Sequence, residues 1–226
     1  MNRVSRDDRH AAARGMWSGK LVPSVRDRAV GQESSVAVDR PDGGLQISVE
    51  TELAFNDLAL RQSIVAAFDE TLRPEWCRVD ATINSRNLQI AVDVGARDAV
   101  VRVCADSGDE EKTIPLHGKP LLLPDNCFTL HALSASSALC GEDSAIYTPL
   151  PVGHDLKVSS QALRRVSLGG IDLGVPSMTL HLGPDLDEHV WLVDNRIERL
   201  AIPRLHVRVD RVTARTFNGE TACTTR

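Results

Sequence analysis

The stretch that decides the fold is Asp187–Val212, with the sequence DEHVWLVDNRIERLAIPRLHVRVDRV. Apolar and polar side chains alternate along it with a period of two, which is the pattern of a strand with one buried face. Asp194 and Asn195 interrupt the pattern, and both residue types accept the positive φ of a hairpin turn. Pro203 interrupts it again, because proline has no N–H for a neighbouring strand. The stretch predicts three short antiparallel strands whose apolar face must be covered by another layer or by a ligand.

The chain before this stretch repeats the same pattern. Leu45 to Phe55 alternates cleanly, and alternating runs near Cys77, Leu88 and Val101 follow, with turn signals about every 8 to 12 residues. The apolar spacing of residues 56–69 fits a helix or a strand equally well. The turn residues Asn56 and Asp57 before it favour a strand.

One segment predicts a helix instead. The alternation breaks at Pro124, and Asp125 or Asn126 can cap a helix that runs from Cys127 to about Leu139. Many of its residues are Ala or Ser, which suit close packing on a sheet.

These patterns predict a mainly β fold, with a strongly curved antiparallel sheet or open β-barrel closed by one helix. Residues 41–215 form this single cup-shaped domain. Residues 1–40 are expected to be a polar, disordered arm, and residues 216–226 a tail.

Composition limits the classes of partner. The 226 residues carry a formal net charge of −5, and residues 1–30 hold seven basic residues against three acidic ones. The remainder is therefore strongly acidic, and an acidic surface repels nucleic acid and anionic membranes. We expect no nucleic-acid partner.

Further expectations concern the compartment. The sequence contains no run of about 18 apolar residues, which a membrane-spanning helix would need. Residues 1–17 also lack the apolar region of a signal peptide. The five cysteines have no CxxC spacing, so we interpret them as buried small hydrophobes rather than as disulfides or a zinc site. We expect a cytoplasmic protein without a transmembrane segment, and the oligomeric state stays open.

The common cofactor and catalytic motifs are absent from the sequence. It contains no GxxxxGK[ST] loop, no GxGxxG after a strand, no GxSxG elbow and no HExxH pair. We therefore expect no nucleotide, no other cofactor and no metal ion.

Two segments of the opening stretch carry a resemblance to a known family. Val190–Asp194 is a strand that leads into a turn, and Arg199–Pro203 is an apolar strand that ends in proline. With the meander and the inserted helix before them, they make the layout resemble the outer-membrane lipoprotein carriers. That resemblance implies a curved, incomplete β-barrel, plugged by helices, that cups an acyl chain.

Four residues are candidates for catalysis. Cys127 and His131 lie four residues apart on the predicted helix and share one face. Near a helix N-terminus they could form a thiolate–imidazole pair, since the dipole lowers a thiol pKa. They could equally be a buried cysteine and a histidine bonded to backbone. His189, with Glu188 beside it, could act as a general base or acid, or could belong to a solvated loop end.

Four further residues are candidates for ligand contact. His181 lies on the other arm of the loop that precedes His189. Trp191, Tyr147 and Phe128 are aromatic residues in a chain that is only 4% aromatic. They could line a pocket or pack in the core.

Three classes of function fit these patterns. The protein could bind an apolar or acyl-type small molecule in the cup. It could be a cofactor-independent cyclase or isomerase that acts on a hydrophobic metabolite there. It could also be a protein-interaction module. The missing catalytic motifs favour binding, and we expect an unfilled apolar space of roughly 300–1,000 Å³.

Overall fold

The computed structural model describes residues 19–116, 119–137, 143–148, 159–162, 166–172, 175–181, 187–193 and 196–212. Two sheets are found in these ranges. The strands of the large sheet are β1 (Gly19–Val25), β2 (Arg28–Ala29), β3 (Gly31–Asp39), β4 (Leu45–Phe55), β5 (Leu58–Phe68), β6 (Pro74–Ile83), β7 (Arg86–Val94), β8 (Asp98–Ala105), β9 (Gly108–Pro115), β13 (Val166–Asp172), β14 (Val175–His181), β15 (Asp187–Val193), β16 (Arg196–Ile202) and β17 (Val207–Arg211). The small sheet contains β10 (Lys119–Pro124), β11 (Asp143–Thr148) and β12 (Ser159–Ala162). Helix α1 is Phe128–Ser137, and a 3-10 helix covers Pro203–Leu205.

The large sheet is antiparallel and open. Its order is β13-β14-β15-β16-β17-β1-β3-β4-β5-β6-β7-β8-β9, with β2 paired to β1 outside this path. The two ends of the order are not paired with each other, so the sheet does not close into a barrel. The prediction of a mainly β fold with a curved, open sheet and a helix is confirmed. The small sheet differs in that β10 and β11 run parallel.

Tight turns connect the long strands of the meander. Asn56, Asn84 and Ser85 have φ values of 50°, 48° and 71°, which hairpin turns with a primed geometry require. Residues 58–68 form β5, so the strand interpretation of the ambiguous segment is confirmed. The proposed turn at Asp194 and Asn195 lies outside the described residues.

The sheet is curved, because two distant strands, β5 and β15, both contact the start of α1. Six strand-to-strand steps separate β15 from β5, which is roughly 29 Å in a flat sheet. Yet Gln62 of β5 donates to carbonyls of the turn before α1, and Glu188 of β15 contacts His131. Residues 125–131 would span only about 9 Å along a helix. The sheet must therefore bend around α1.

The core lies on the inner face of this bend. Ile47, Val49 and Ile64 are completely buried, while their neighbours in sequence, such as Glu50 and Glu52, are exposed. Leu130 of α1 and Leu122 of β10 pack in the same core. The predicted inward faces Leu45/Ile47/Val49 and Leu88/Ile90/Val92 are buried as expected.

Two details of the opening stretch need separate comment. β16 ends at Ile202, immediately before Pro203, as expected. Leu205 was expected on the inner face, but it lies in the 3-10 helix and is 52% exposed. The proline begins this helical turn, so strand alternation resumes only at Val207. The side chains of Met178, Leu180 and Leu182 fall outside the description.

The N-terminal prediction is wrong for residues 19–39. These residues form β1 to β3, and β1 lies between β17 and β3 in the large sheet. Leu21 of β1 and Glu33 of β3 are buried. In sequence the segment looks like an arm, because its strands are rich in small polar residues. In the fold, neighbouring strands form backbone hydrogen bonds with it. Residues 1–18 and 213–226 lie outside the described residues.

In the part of the chain that the structure describes, no helix is long and apolar enough to cross a membrane.

Candidate functional site

Two of the predicted catalytic residues meet at the inner face of the sheet. His131 lies in the first turn of α1, and Glu188 lies on β15. The ring Nδ1 of His131 is 2.8 Å and 3.1 Å from the two carboxylate oxygens of Glu188, and its Nε2 is 2.9 Å from the carbonyl oxygen of Pro124. Both side chains are buried. The sheet and the helix thus pair two residues that are 57 positions apart.

The contacts of His131 define its protonation state. The Glu188 carboxylate and the Pro124 carbonyl can only accept hydrogen bonds, so both ring nitrogens must donate. Burial by itself disfavours the imidazolium, but attraction and hydrogen bonding to Glu188 outweigh it, and the pKa of His131 is raised above its ordinary value. The pair is therefore a buried imidazolium–carboxylate ion pair.

A second buried carboxylate, Glu33 of β3, lies at the beginning of α1. It accepts hydrogen bonds from the backbone N–H groups of Phe128 (2.9 Å) and Thr129 (2.7 Å). The hydroxyls of Thr129 and Thr51 add two more, at 2.5 Å and 3.3 Å. A helix begins with N–H groups that lack partners inside the helix, and Glu33 supplies them. Burial raises the pKa of Glu33, and the hydrogen bonds from Thr129 and Phe128 limit that rise.

Gln62 of β5 completes this group of contacts. Its Nε2 donates to the carbonyls of Asp125 and Asn126, at 3.2 Å and 2.9 Å. Asn126 has a φ of 56°, so the turn before α1 adopts a left-handed conformation that asparagine accepts. We call Glu33, Gln62, His131 and Glu188 the helix-anchoring cluster, because these four buried side chains join α1 and its preceding turn to three strands.

Cys127 does not form the predicted thiolate–imidazole pair. Both ring nitrogens of His131 bind other groups. Burial, together with the nearby Glu33 carboxylate, raises the pKa of the Cys127 thiol well above its ordinary value. The expectation of a lowered pKa is therefore wrong, because burial and the Glu33 charge outweigh the hydrogen bond that the thiol receives from the backbone N–H of Leu130. Cys127 fits the alternative interpretation of a buried cysteine.

Trp191 and His189 lie on β15 near Glu188. Their ring centroids are 6.0 Å apart. Trp191 is only 7% exposed, and its Nε1 has no hydrogen-bond acceptor among the residues that the structure describes. A buried N–H without an acceptor costs about 1–3 kcal/mol. The donor therefore marks a place where a further acceptor would be favourable. His189 is half-buried and does not take part in the helix-anchoring cluster.

The remaining candidates are only partly described. Phe128 is buried in the core at the start of α1. Tyr147 lies in β11 and His181 in β14, but their side chains fall outside the description. Sequence reasoning missed Glu33 and Gln62. Gln62 could have been found, because it occupies an inward position in the alternating pattern of β5. No such signal was available for Glu33, because its strand was interpreted as part of a disordered arm.

The structure contains a cavity on the exposed face of the sheet, away from the candidate residues. A cavity of about 590 Å³ crosses β3 to β6, and its lining includes Gln32, Glu52 and Arg61. These side chains belong to the exposed face of the sheet. The inner face near α1 is instead occupied by the core and the helix-anchoring cluster.

The chemistry of the cluster follows from its contacts. His131 has no free lone pair while both ring nitrogens donate, so it cannot accept a proton as a general base in this arrangement. The cluster holds the helix across the curved sheet. Among the described residues, the buried side-chain donor without an acceptor is Trp191 Nε1.

Comparisons with known proteins give little further information. No model of a known protein family matches the chain, and no curated protein matches its sequence. Among solved structures, the chain is similar to a DUF1089-family protein from Pseudomonas aeruginosa, with a TM-score of 0.46 and 9% sequence identity over 76% of this chain and 90% of that chain.

Proposed function

We propose that the protein binds a small apolar or acyl-type molecule beside Trp191, on the face of β15 that carries His189 and Trp191. In this proposal an oxygen atom of the ligand accepts a hydrogen bond from Trp191 Nε1. The single observation that carries the proposal is this buried indole N–H, which has no acceptor among the described residues. Buried polar groups in proteins are almost always paired.

The surroundings of Trp191 fit such a ligand. Trp191 is only 7% exposed and shares its face of β15 with His189, whereas Glu188 and Val190 lie on the opposite, inner face. A carboxyl or ester oxygen at the end of an apolar chain would satisfy the indole N–H, and the chain would lie against the indole ring. The half-buried ring of His189 lies beside the indole and could contact the same polar end.

The geometry favours binding over catalysis. A cyclase or isomerase needs a group that can take or give a proton at the substrate. His131 is held by Glu188 and Pro124, and the raised pKa keeps the Cys127 thiol protonated. The described residues of the helix-anchoring cluster therefore supply structure rather than a nucleophile or base.

A fluorescent fatty acid tests the proposal. Stearic acid that carries an anthroyloxy group accepts energy from tryptophan, so its binding can be followed by transfer from Trp191 and by its own emission. We expect saturable binding to the native protein. Replacement of Trp191 by Phe keeps an apolar ring but removes the N–H, and the affinity should fall about tenfold, which corresponds to about 1.4 kcal/mol.

The matched control is Trp76→Phe. Trp76 is also on the large sheet, but it lies on β6, where the Arg78 guanidinium is 5.5 Å from the centre of its ring. This variant should bind with native affinity. The proposal fails if the native protein does not bind the fatty acid, or if both variants bind it equally well.

A further inference from the structure

The exposed face of the sheet carries a groove that the proposed function does not use. It is the cavity of about 590 Å³ that crosses β3 to β6. Ala54 and Ala59 lie directly opposite each other on β4 and β5, and both are exposed. Gly31 of β3 approaches β4 so closely that a Cβ there would lie 1.9 Å from the Glu52 carbonyl oxygen. Small residues therefore leave room between larger polar neighbours.

The wall of this groove holds an ion pair between Arg61 and Glu52. Arg61 Nε is 3.2 Å from Glu52 Oε1, and the side chains are 80% and 55% exposed. The guanidinium forms no hydrogen bond to any residue that the structure describes. By contrast, Arg78 and Arg102 on the same face both donate to Asp93. Among the described residues, the side chain of Arg61 thus has the Glu52 carboxylate as its partner and no other.

We propose that this groove binds a compact zwitterion, in which an oxyanion and an ammonium group are a few bonds apart. The planar guanidinium of Arg61 offers two parallel N–H donors to a carboxylate or phosphate. Glu52 lies beside it and can accept from the ammonium group. The small side chains of Ala54 and Ala59 leave space for the atoms that join the two charges.

Other polar side chains on the same face bind one another, so the proposed binding is limited to the groove at Arg61. Ser63 donates to Glu50, and Gln89 donates to Asp80. These side chains satisfy one another across the strands, as paired residues on an exposed sheet face do. Arg61 and Glu52 differ because they form an exposed ion pair that, among the described residues, has no further side-chain partner.

Titration calorimetry with three probes tests this site. Phosphoethanolamine carries both charges, inorganic phosphate carries only the anion, and ethanolamine carries only the cation. We expect phosphoethanolamine to bind more tightly than either of the other two probes. Arg61→Gln should reduce its affinity at least about tenfold, because the bidentate contact is lost. Arg61→Lys should fall between the native protein and Arg61→Gln, since lysine keeps the charge but not the paired donors.

Two controls make the test decisive. Arg86→Gln removes the same charge from an exposed position on β7 that does not line the groove, and it should leave the affinity unchanged. Ala59→Leu should block the groove without changing charge, and it should also abolish binding. The site is refuted if phosphoethanolamine binds no better than phosphate, or if Arg86→Gln weakens binding as much as Arg61→Gln.

Discussion

Two glutamates bind the same helix in different ways, and the difference shows how a buried carboxylate can be accommodated. Glu33 receives four hydrogen bonds from uncharged donors, three at the beginning of α1 and one from Thr51 of β4. Glu188 instead faces one imidazolium, that of His131. The partners of Glu33 remain neutral if the carboxylate is lost, whereas the partner of Glu188 would be left as a buried, unpaired cation. Four predictions test this comparison, from the largest expected effect to the smallest.

Removing the strand between the two glutamates should have the largest effect. β1 lies between β17 and β3, and therefore between the strands that carry Glu188 and Glu33. We expect deletion of residues 1–30 to abolish cooperative thermal unfolding, because the sheet loses the pairing on both sides of β1. Deletion of residues 1–18, which keeps β1, is the matched control. A cooperative transition within a few degrees of this control would show that the two halves of the sheet fold without β1.

Breaking the ion pair should cost more than removing it. His131→Leu leaves Glu188 buried without a cation, and we expect a loss of about 3–5 kcal/mol in the free energy of unfolding. The double variant His131→Leu/Glu188→Leu should recover most of this loss, since two apolar side chains can replace a buried ion pair. Urea unfolding measures both. If the double variant is as unstable as the single one, the pair itself stabilises the fold.

Neutralising Glu33 should have a smaller effect. Glu33→Gln keeps the shape but turns one acceptor into a donor that faces the N–H and hydroxyl groups at the start of α1. We expect a loss of about 1–3 kcal/mol in urea unfolding. Glu50→Gln is the control, because Glu50 is exposed on β4. A larger loss for Glu33→Gln than for His131→Leu would contradict the comparison drawn here.

The pH dependence of stability should distinguish the two glutamates most finely. The pKa values of Glu33 and His131 are both raised in the folded protein. The contribution of Glu33 is therefore complete below about pH 4.5 and decreases as the pH rises through its folded pKa. The contribution of His131 to stability is complete below about pH 6.5 and also decreases as the pH rises. We expect stability to fall as the pH rises above about 4.5 and through the raised folded pKa values of the two groups.

The variants assign this decrease to the two groups. His131→Leu/Glu188→Leu should remove the part of the decrease that begins above about pH 6.5, and Glu33→Gln should remove the part that begins above about pH 4.5. The hydrogen bond from Arg78 lowers the pKa of Asp93. The contribution of Asp93 to stability is therefore lost at more acidic pH, as the pH falls rather than as it rises. Urea midpoints at several pH values measure the profile. A native protein that becomes more stable between pH 5 and pH 9 would contradict the prediction.

The sequence by itself determined the local architecture. Alternation in Leu45–Phe55 and its successors predicts strands, because each strand buries one face wherever it lies in the sheet. The turn residues Asn56 and Asn84 and the strand end before Pro203 are equally local, since they depend on the φ angles and donors of single residues. The helix after Pro124 was predictable for the same reason.

Only the tertiary structure decided which residues form the site. The sequence pointed separately to His131 and Glu188, but their pairing depends on the bend that brings β15 against α1. Glu33 binds a helix 95 residues later in the chain, and no local pattern records such a contact. Its strand looked like a polar arm because the inner neighbours that bury it come from β1 and β4. Burial and charge pairing arise from the packing of distant segments, so the protonation of His131 and the acceptor missing at Trp191 became visible only in the folded chain.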